Sequence, residues 1–171
     1  MDPFTSAEEF RRLLYAVSYP GEVVTLGTSR PYLSILNKDT KFYTDREEEK
    51  EFIERYTGAV FANIEDADYL ILHKEPDRDT MISMKRGDIE FPEESATIFL
   101  KISKIGEGTK ILIRGPGVRD YKVVSLTLSK RFFEVLQEIN DFPVGLDVFI
   151  MDKSRRLIAI PRSVEVTVWD S

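Results

Sequence analysis

The stretch FPVGLDVFIMDKSRRLIAIPRS, residues 142–163, holds two apolar runs separated by the short charged turn Asp152-Lys153-Ser154-Arg155-Arg156. It reads as a buried hairpin, and its ends are polar: Phe142-Pro143-Val144-Gly145 leads into Asp147, and Pro161-Arg162-Ser163 closes it. Asp147 enters an apolar strand, where a buried carboxylate must be paired or hydrogen-bonded. An arginine or turn N–H groups would supply that pairing, and general acid or base work is the other reading. Pro161 fixes the backbone before Arg162, so this cation sits at a rigid position where strand meets loop.

Downstream, Val164, Val166 and Val168 alternate with Glu165, Thr167 and Trp169, the period of a closing strand. Upstream, Ser129 is placed to cap a helix carrying Phe132, Phe133, Leu136 and Ile139. Strands are expected near Tyr121–Val124 and over Lys110–Arg114, the latter entered through a Gly106-Glu107-Gly108 turn. Ala96, Ile98, Leu100 and Ile102 alternate with Thr97, Phe99 and Lys101 in a further strand. The polar segment 74–94 carries a helical turn around Met81–Met84.

In the first half, Ser6-Ala7-Glu8-Glu9 has capping-box spacing and predicts a helix start. Phe10, Leu13, Leu14 and Val17 follow at helical spacing as its apolar stripe, and Pro20-Gly21 ends it. Glu22–Leu26, Lys41–Thr44, Ala59–Ala62 and Tyr69–His73 read as strands, Pro31–Leu36 as a short helix. Asp45 is expected to cap a helix carrying Phe52, Ile53 and Tyr56 to the core. The expectation is one α/β domain spanning residues 1–171, a single mixed sheet flanked by helices.

Bulk composition narrows the function. At 171 residues such a chain buries roughly two thirds of its unfolded surface, so no staple is needed. With no cysteine, thiolate nucleophiles, zinc fingers and iron–sulfur ligation are excluded, and the lone His73 cannot build a histidine-rich metal site. A net charge of −6 argues against coating nucleic acid. The start MDPFTSAEEF has neither a basic nor an apolar leader region, and no apolar run is long enough to span a bilayer, so a cytoplasmic protein is expected.

GPGV, Gly115–Val118, could present backbone N–H groups to an anion, yet it lacks the Lys-Ser/Thr of a P-loop, and a strand-ending turn needing positive φ is the plainer reading. Arg11 and Arg12 suit carboxylate or phosphate forks, and equally suit a solvated helix face beside Glu8 and Glu9. Nothing near His73 in sequence supports a Ser-His-Asp triad.

FRRLLYAVSYPGEVV (10–24), FPVGLDVFI (142–150) and LIAIPRSVEVTV (157–168) resemble the phosphonate-metabolism PhnH family, with YTGA, FPEESATIFLKI and IRGPGV in matching order between them. Phe10, Arg11 and Arg12 match the family's Phe-Arg-Arg, and Pro20 and Gly21 its Pro-Gly. Phe142, Pro143, Gly145 and Asp147 match its Phe-Pro-x-Gly-x-Asp, while Pro161 and Arg162 match Pro-Arg, with Ser163 in place of the usual Thr. Tyr56 stands where many members carry His, and Arg114 where they carry a small polar residue. The polar middle looks shorter than in many relatives.

The resemblance implies a fold similar to PLP-dependent transferases without their cofactor site, and a homodimer that assembles with the nucleosidase-like and radical-SAM subunits of the carbon–phosphorus lyase core complex. That complex makes α-D-ribose 1-phosphonate 5-triphosphate from MgATP and an alkylphosphonate in organophosphonate catabolism. On this reading the chain is an accessory subunit of a phosphonate ribosyl triphosphate synthase, a transferase complex. No catalytic residue, metal or cofactor is assigned to it. Arg11, Arg12 and Arg162 are then anion-binding or partner-contact candidates, and Phe10, Pro20, Gly21, Gly115, Gly117, Phe142, Pro143, Gly145, Asp147, Pro161 and Ser163 the structural motif. An alternative is a small stand-alone enzyme or binding protein for a phosphorylated or phosphonate ligand, with Arg11, Arg162 and the GPG turn as its anion cradle. A pyridoxal-phosphate enzyme is a third reading.

Overall fold

The computed structural model describes residues 3–169, with the side chains of residues 3–5 left aside. In chain order the elements are α1 (Pro3–Ser18), β1 (Val24–Thr25), a 3-10 helix (Pro31–Ser34), β2 (Lys41–Thr44), α2 (Glu47–Thr57), β3 (Val60–Phe61), β4 (Tyr69–Leu72) and α3 (Arg78–Ser83). A second 3-10 helix (Pro92–Glu94) precedes β5 (Thr97–Lys101), β6 (Ile105–Arg114), β7 (Lys122–Leu126), α4 (Lys130–Ile139), β8 (Asp147–Met151), β9 (Arg156–Ile160) and β10 (Glu165–Val168).

The strands form two sheets rather than the single one expected. Seven run in the order β1-β9-β8-β5-β4-β2-β3, with β3, β2, β4, β5 and β8 parallel and β9 antiparallel to both its neighbours. The other three, β10-β6-β7, form an antiparallel sheet. Period-two patterning locates strands but carries no information on which partner each one finds.

The large sheet is covered on both faces, which is why its central strands read as continuous apolar runs. In β5, Ile98 and Leu100 face a core shared with α3, α4 and the small sheet, including Met81, Phe132, Phe133, Ile111 and Val166. Phe99 turns the other way and stacks on Phe149 at 4.8 Å, in a core closed by Leu13 and Ala16 of α1, Tyr32 and Ile53. The hairpin read from 142–163 is present, with Val148 opposite Ile160 and Met151 opposite Leu157. Ser129 caps α4 as expected, its Oγ accepting from Phe132 N at 3.1 Å.

Five local expectations fail for identifiable reasons. Helix α1 already runs at Pro3, so Ser6 lies inside it and the capping box does not form. The buried face of α1 is Glu9, Leu13 and Ala16, while Phe10, Leu14 and Val17 are exposed at 42%, 51% and 39%. Asp45 does not cap α2; Arg46 occupies that position without a side-chain cap, and Tyr56 is exposed, stacked on Phe52. Gly106-Glu107-Gly108 is not a turn into a strand but an irregularity within β6, where the pairing with β7 shifts register.

Candidate functional site

The two polar ends of the hairpin meet. Asp147 Oδ1 accepts from the main-chain N–H of Arg162 at 2.8 Å and Oδ2 from its Nη1 at 2.9 Å, while the same Nη1 donates to Ser95 Oγ at 2.5 Å. This happens because β8 starts at Asp147 and β9 ends at Ile160, so antiparallel pairing brings the residues flanking the hairpin together. Both side chains are largely enclosed, 28% and 19% exposed. Charge-assisted bonds of this kind are stronger than neutral ones. Arg162 is therefore already engaged with a carboxylate.

The motif glycines are sites of close backbone approach. A Cβ on Gly117 would lie 2.2 Å from Ser18 O and 2.9 Å from Pro20 Cδ, and one on Gly115 would lie 3.0 Å from Val164 Cα and 3.2 Å from Ser163 O. Gly21 differs: a Cβ there would meet side chains, Lys122 Cγ at 2.9 Å and Ile113 Cδ1 at 3.2 Å. Pro20, Gly21, Gly115, Gly117 and Ser163 thus gather where the end of α1, the turn after β6 and the link from β9 to β10 pass one another. Gly115 and Gly117 have φ of 139° and 84°, the turn conformation that only glycine adopts easily. Gly145, with φ 147°, packs against Asn140, whose Oδ1 accepts from Leu146 N at 2.8 Å. Phe142 is exposed and joined to Pro143 by a cis peptide. Pro161 is buried.

The arginines of α1 lie elsewhere. Arg12 Nη1 donates to Glu9 Oε1, which also accepts from Gly27 N at 2.7 Å. Gly27 O in turn accepts from Arg155, beside the start of β9, whereas Arg162 follows the end of β9. Arg11 is exposed one residue away. The cradle expected from Arg11, Arg162 and the GPG turn is not assembled, because the strand β9 separates the two arginines.

A larger concavity, about 730 Å³, opens at the other edge of the large sheet. Strands β2, β4, β5 and β8 are parallel and end there, the edge where open α/β sheets place ligands. Thr44 Oγ1 donates to Ile71 O at 2.7 Å, locking β2 to β4 just before both strands end. Next come Asp45 and His73. Asp45 accepts from His73 N at 2.9 Å, Lys74 N at 3.1 Å and His73 Nδ1 at 2.7 Å. Burial by itself pushes Asp45 up, but the His73 and Lys74 hydrogen bonds outweigh it and hold the carboxyl below its ordinary value. An ionised Asp45 fixes the proton of a neutral imidazole on Nδ1 and leaves the Nε2 lone pair outward.

Beside this pair lies a buried network. Glu49 accepts from Arg30 Nε and Nη2, both at 3.2 Å, and from the Tyr32 hydroxyl. Lys101 Nζ stands 3.4 Å from the same hydroxyl oxygen. Burial pushes Glu49 up, yet Arg30, Tyr32 and Lys101 bring it below the usual carboxylate range. Burial first, then the Glu49 charge, drive the Tyr32 hydroxyl far above its ordinary value. Lys101 is lowered by burial first, against Glu49 and with the help of Arg30 and Arg46. On the far side Asp152 accepts from Ile105 N, Ser154 N and Arg156, which hold it low despite burial.

Sequence reasoning missed this cleft. His73 carries no signal by itself, because its partner Asp45 lies 28 positions away, just past the end of β2. Only the parallel register of β2 with β4 brings them together.

Two comparisons bear on identity. The family model described as Bacterial phosphonate metabolism protein (PhnH) matches residues 2–167. A relative from Stutzerimonas stutzeri, named "Putative C-P lyase subunit protein HtxG", is 25% identical over 167 residues, covering 93% of this chain and 84% of the relative.

Proposed function

The chain belongs to the PhnH family of bacterial phosphonate metabolism proteins, and on that premise we propose that it is a subunit of the carbon–phosphorus lyase core complex in organophosphonate catabolism. Its role there is accessory: it supports formation of α-D-ribose 1-phosphonate 5-triphosphate from MgATP and an alkylphosphonate by partner subunits that hold the reacting groups. The observation that carries this reading is the family match along residues 2–167, to which the name of the Stutzerimonas relative adds the complex.

One structural feature supports an assembly role. Helix α1, within the first matched block, turns Phe10, Leu14 and Val17 to solvent as a row at helical spacing, continued by Tyr15 and Tyr19. Exposed apolar rows of this kind mark protein contacts. Among the described residues no helix is long and apolar enough to cross a membrane. Homodimerisation, contacts with nucleosidase-like and radical-SAM subunits, and a single domain over residues 1–171 belong to the same proposal. So does a likeness to the PLP-dependent transferase fold, supported by the seven-stranded mixed sheet with helices on both faces.

Deletion of the gene in its own bacterium tests the role. Growth should fail with methylphosphonate as sole phosphorus source and continue with phosphate, and return when the gene is restored. Undiminished growth on methylphosphonate would rule the role out.

A further inference from the structure

We propose that the loops leading into β5 and β8, residues 86–94 and 141–145, form a docking face for a basic partner protein. Ile89, Phe91 and Phe142 insert into an apolar pocket of that partner, and the acids around them meet lysines and arginines on its rim. The partner is a subunit of the complex proposed above, so this inference rests on that reading and adds to it a second contact besides α1.

Topology sets the two loops side by side. Strands β5 and β8 are parallel neighbours, so the segments that enter them emerge together at the edge opposite the cleft. Gly145 N donates to Arg86 O at 3.0 Å and joins one loop to the other. Beneath them the Arg162 guanidinium bonds Ser95 ahead of β5 and Asp147 at the start of β8, bracing the base of both loops. Each loop is also closed on itself: Phe91 N donates to Asp88 Oδ1 at 2.7 Å, Glu94 N to Phe91 O at 3.1 Å, and Val144 N to Asp141 O at 2.9 Å. A face held in shape before binding loses little conformational entropy on docking.

The apolar tips are turned away from the fold. Ile89 is 82% exposed, Phe142 65% and Phe91 49%, and the first two are the most exposed large hydrophobics among the described residues. Phe91-Pro92 and Phe142-Pro143 repeat one pair, an outward ring followed by a proline that stiffens the loop. Aromatic and aliphatic anchors on a rigid support are what a protein interface buries at its centre.

Charge selects the occupant. Asp88, Glu90, Glu93, Glu94 and Asp141 are all exposed, and none of them makes an ion pair among the described residues. The same two loops hold one cation, Arg86, so acids outnumber it five to one around the apolar tips. A twofold contact sets a surface against itself. Here that would oppose acid to acid, which is costly across an interface and disfavours a second copy as the occupant. An anionic lipid surface is repelled for the same reason. A partner with a basic rim satisfies the acids, and its apolar pocket covers the tips.

The test uses the other subunits of the complex, purified from cells lacking this gene and immobilised, with the full chain as analyte. The parent should bind saturably, with affinity falling as sodium chloride is raised. Ile89→Ser and Phe142→Ser should each bind about tenfold more weakly or worse, while the unfolding midpoint of Ile89→Ser stays that of the parent. A chain carrying Glu90→Lys and Glu93→Lys should also bind more weakly, and its affinity should depend less on salt. Unchanged affinity in Ile89→Ser and Phe142→Ser would overturn the face and leave the assembly role standing. Unchanged or tighter binding by the charge-reversed chain would overturn the basic partner. Sedimentation of the isolated chain separates the other occupant: self-association that Ile89→Ser abolishes would overturn the proposal in favour of a second copy. A parent chain that binds none of the subunits would overturn the assembly role and this face together.

Discussion

The carboxylate of Asp147 closes the open end of the β8–β9 hairpin by taking both the main-chain N–H and the guanidinium of Arg162, fifteen residues further on, at 2.8 and 2.9 Å. The Arg162 guanidinium then reaches Ser95, beyond the start of β5, so one side chain ties three chain segments at the edge opposite the cleft. Its Nε is buried without a partner among the described residues, a cost that the Nη1 bonds must offset.

Arg162→Ala should therefore lower stability by about 1–3 kcal/mol, because it strips a largely enclosed carboxylate of one of its two partners. Asp147→Asn keeps an oxygen for the Arg162 N–H and should cost less. Urea denaturation of both variants checks the order; an unperturbed Arg162→Ala would show that the pair contributes nothing.

Glycine substitutions separate steric crowding from backbone strain. Gly106 and Gly117 both have positive φ, 108° and 84°, but a Cβ at Gly106 meets nothing within 4 Å, and one at Gly117 would lie 2.2 Å from Ser18 O. Gly106→Ala should cost about 1–2 kcal/mol, the left-handed penalty alone. Gly117→Ala should cost distinctly more and displace the end of α1. Equal melting points for the two variants would contradict the packing described.

Stability should fall in acid over a defined range. Asp45, Glu49 and Asp152 are each held below their ordinary values in the folded chain, and unfolded they return to about 3.9 for Asp and 4.3 for Glu. Unfolding then takes up protons as the pH drops, so the stabilisation is complete above about pH 5 and is lost as the pH falls through the depressed folded values. Unfolding free energy measured between pH 7 and pH 3 should be flat at first and then decline, and Asp45→Asn should shallow the decline.

Leu14→Glu addresses the exposed face of α1. With the side chain half in solvent, folding stability should change by no more than about 0.5 kcal/mol. Self-association or binding to partner subunits should weaken strongly. Light scattering and pull-down of the variant check this, and intact assembly would remove α1 from the interface.

Much of the frame was legible because it is written in short-range chemistry. The apolar runs at 148–151 and 157–160 announce the hairpin, and the Ser129 hydroxyl announces α4. The pairing of Asp147 with Arg162 was within reach, since residues flanking a hairpin must meet.

Long-range relationships were not legible. Both sides of α1 are apolar, Leu13 and Ala16 on one and Phe10, Leu14 and Val17 on the other, so periodicity could not say which is buried. The buried side also carries an acid, Glu9, held by Gly27 N from 18 residues away, a signal that points the wrong way in any hydropathy reading. Asp45 has the position of a helix cap because it precedes α2, but the segment just past the parallel strand β4 supplies the N–H groups of His73 and Lys74 instead. The cleft itself is a product of strand order, which no local pattern contains.

Membership of a carbon–phosphorus lyase complex is tested most directly by native mass spectrometry of the complex purified from cells through a tag on the radical-SAM or nucleosidase-like subunit. This chain should be recovered in fixed stoichiometry, and the Leu14→Glu chain should be lost from the assembly. A complex that assembles fully and never contains this chain would contradict it.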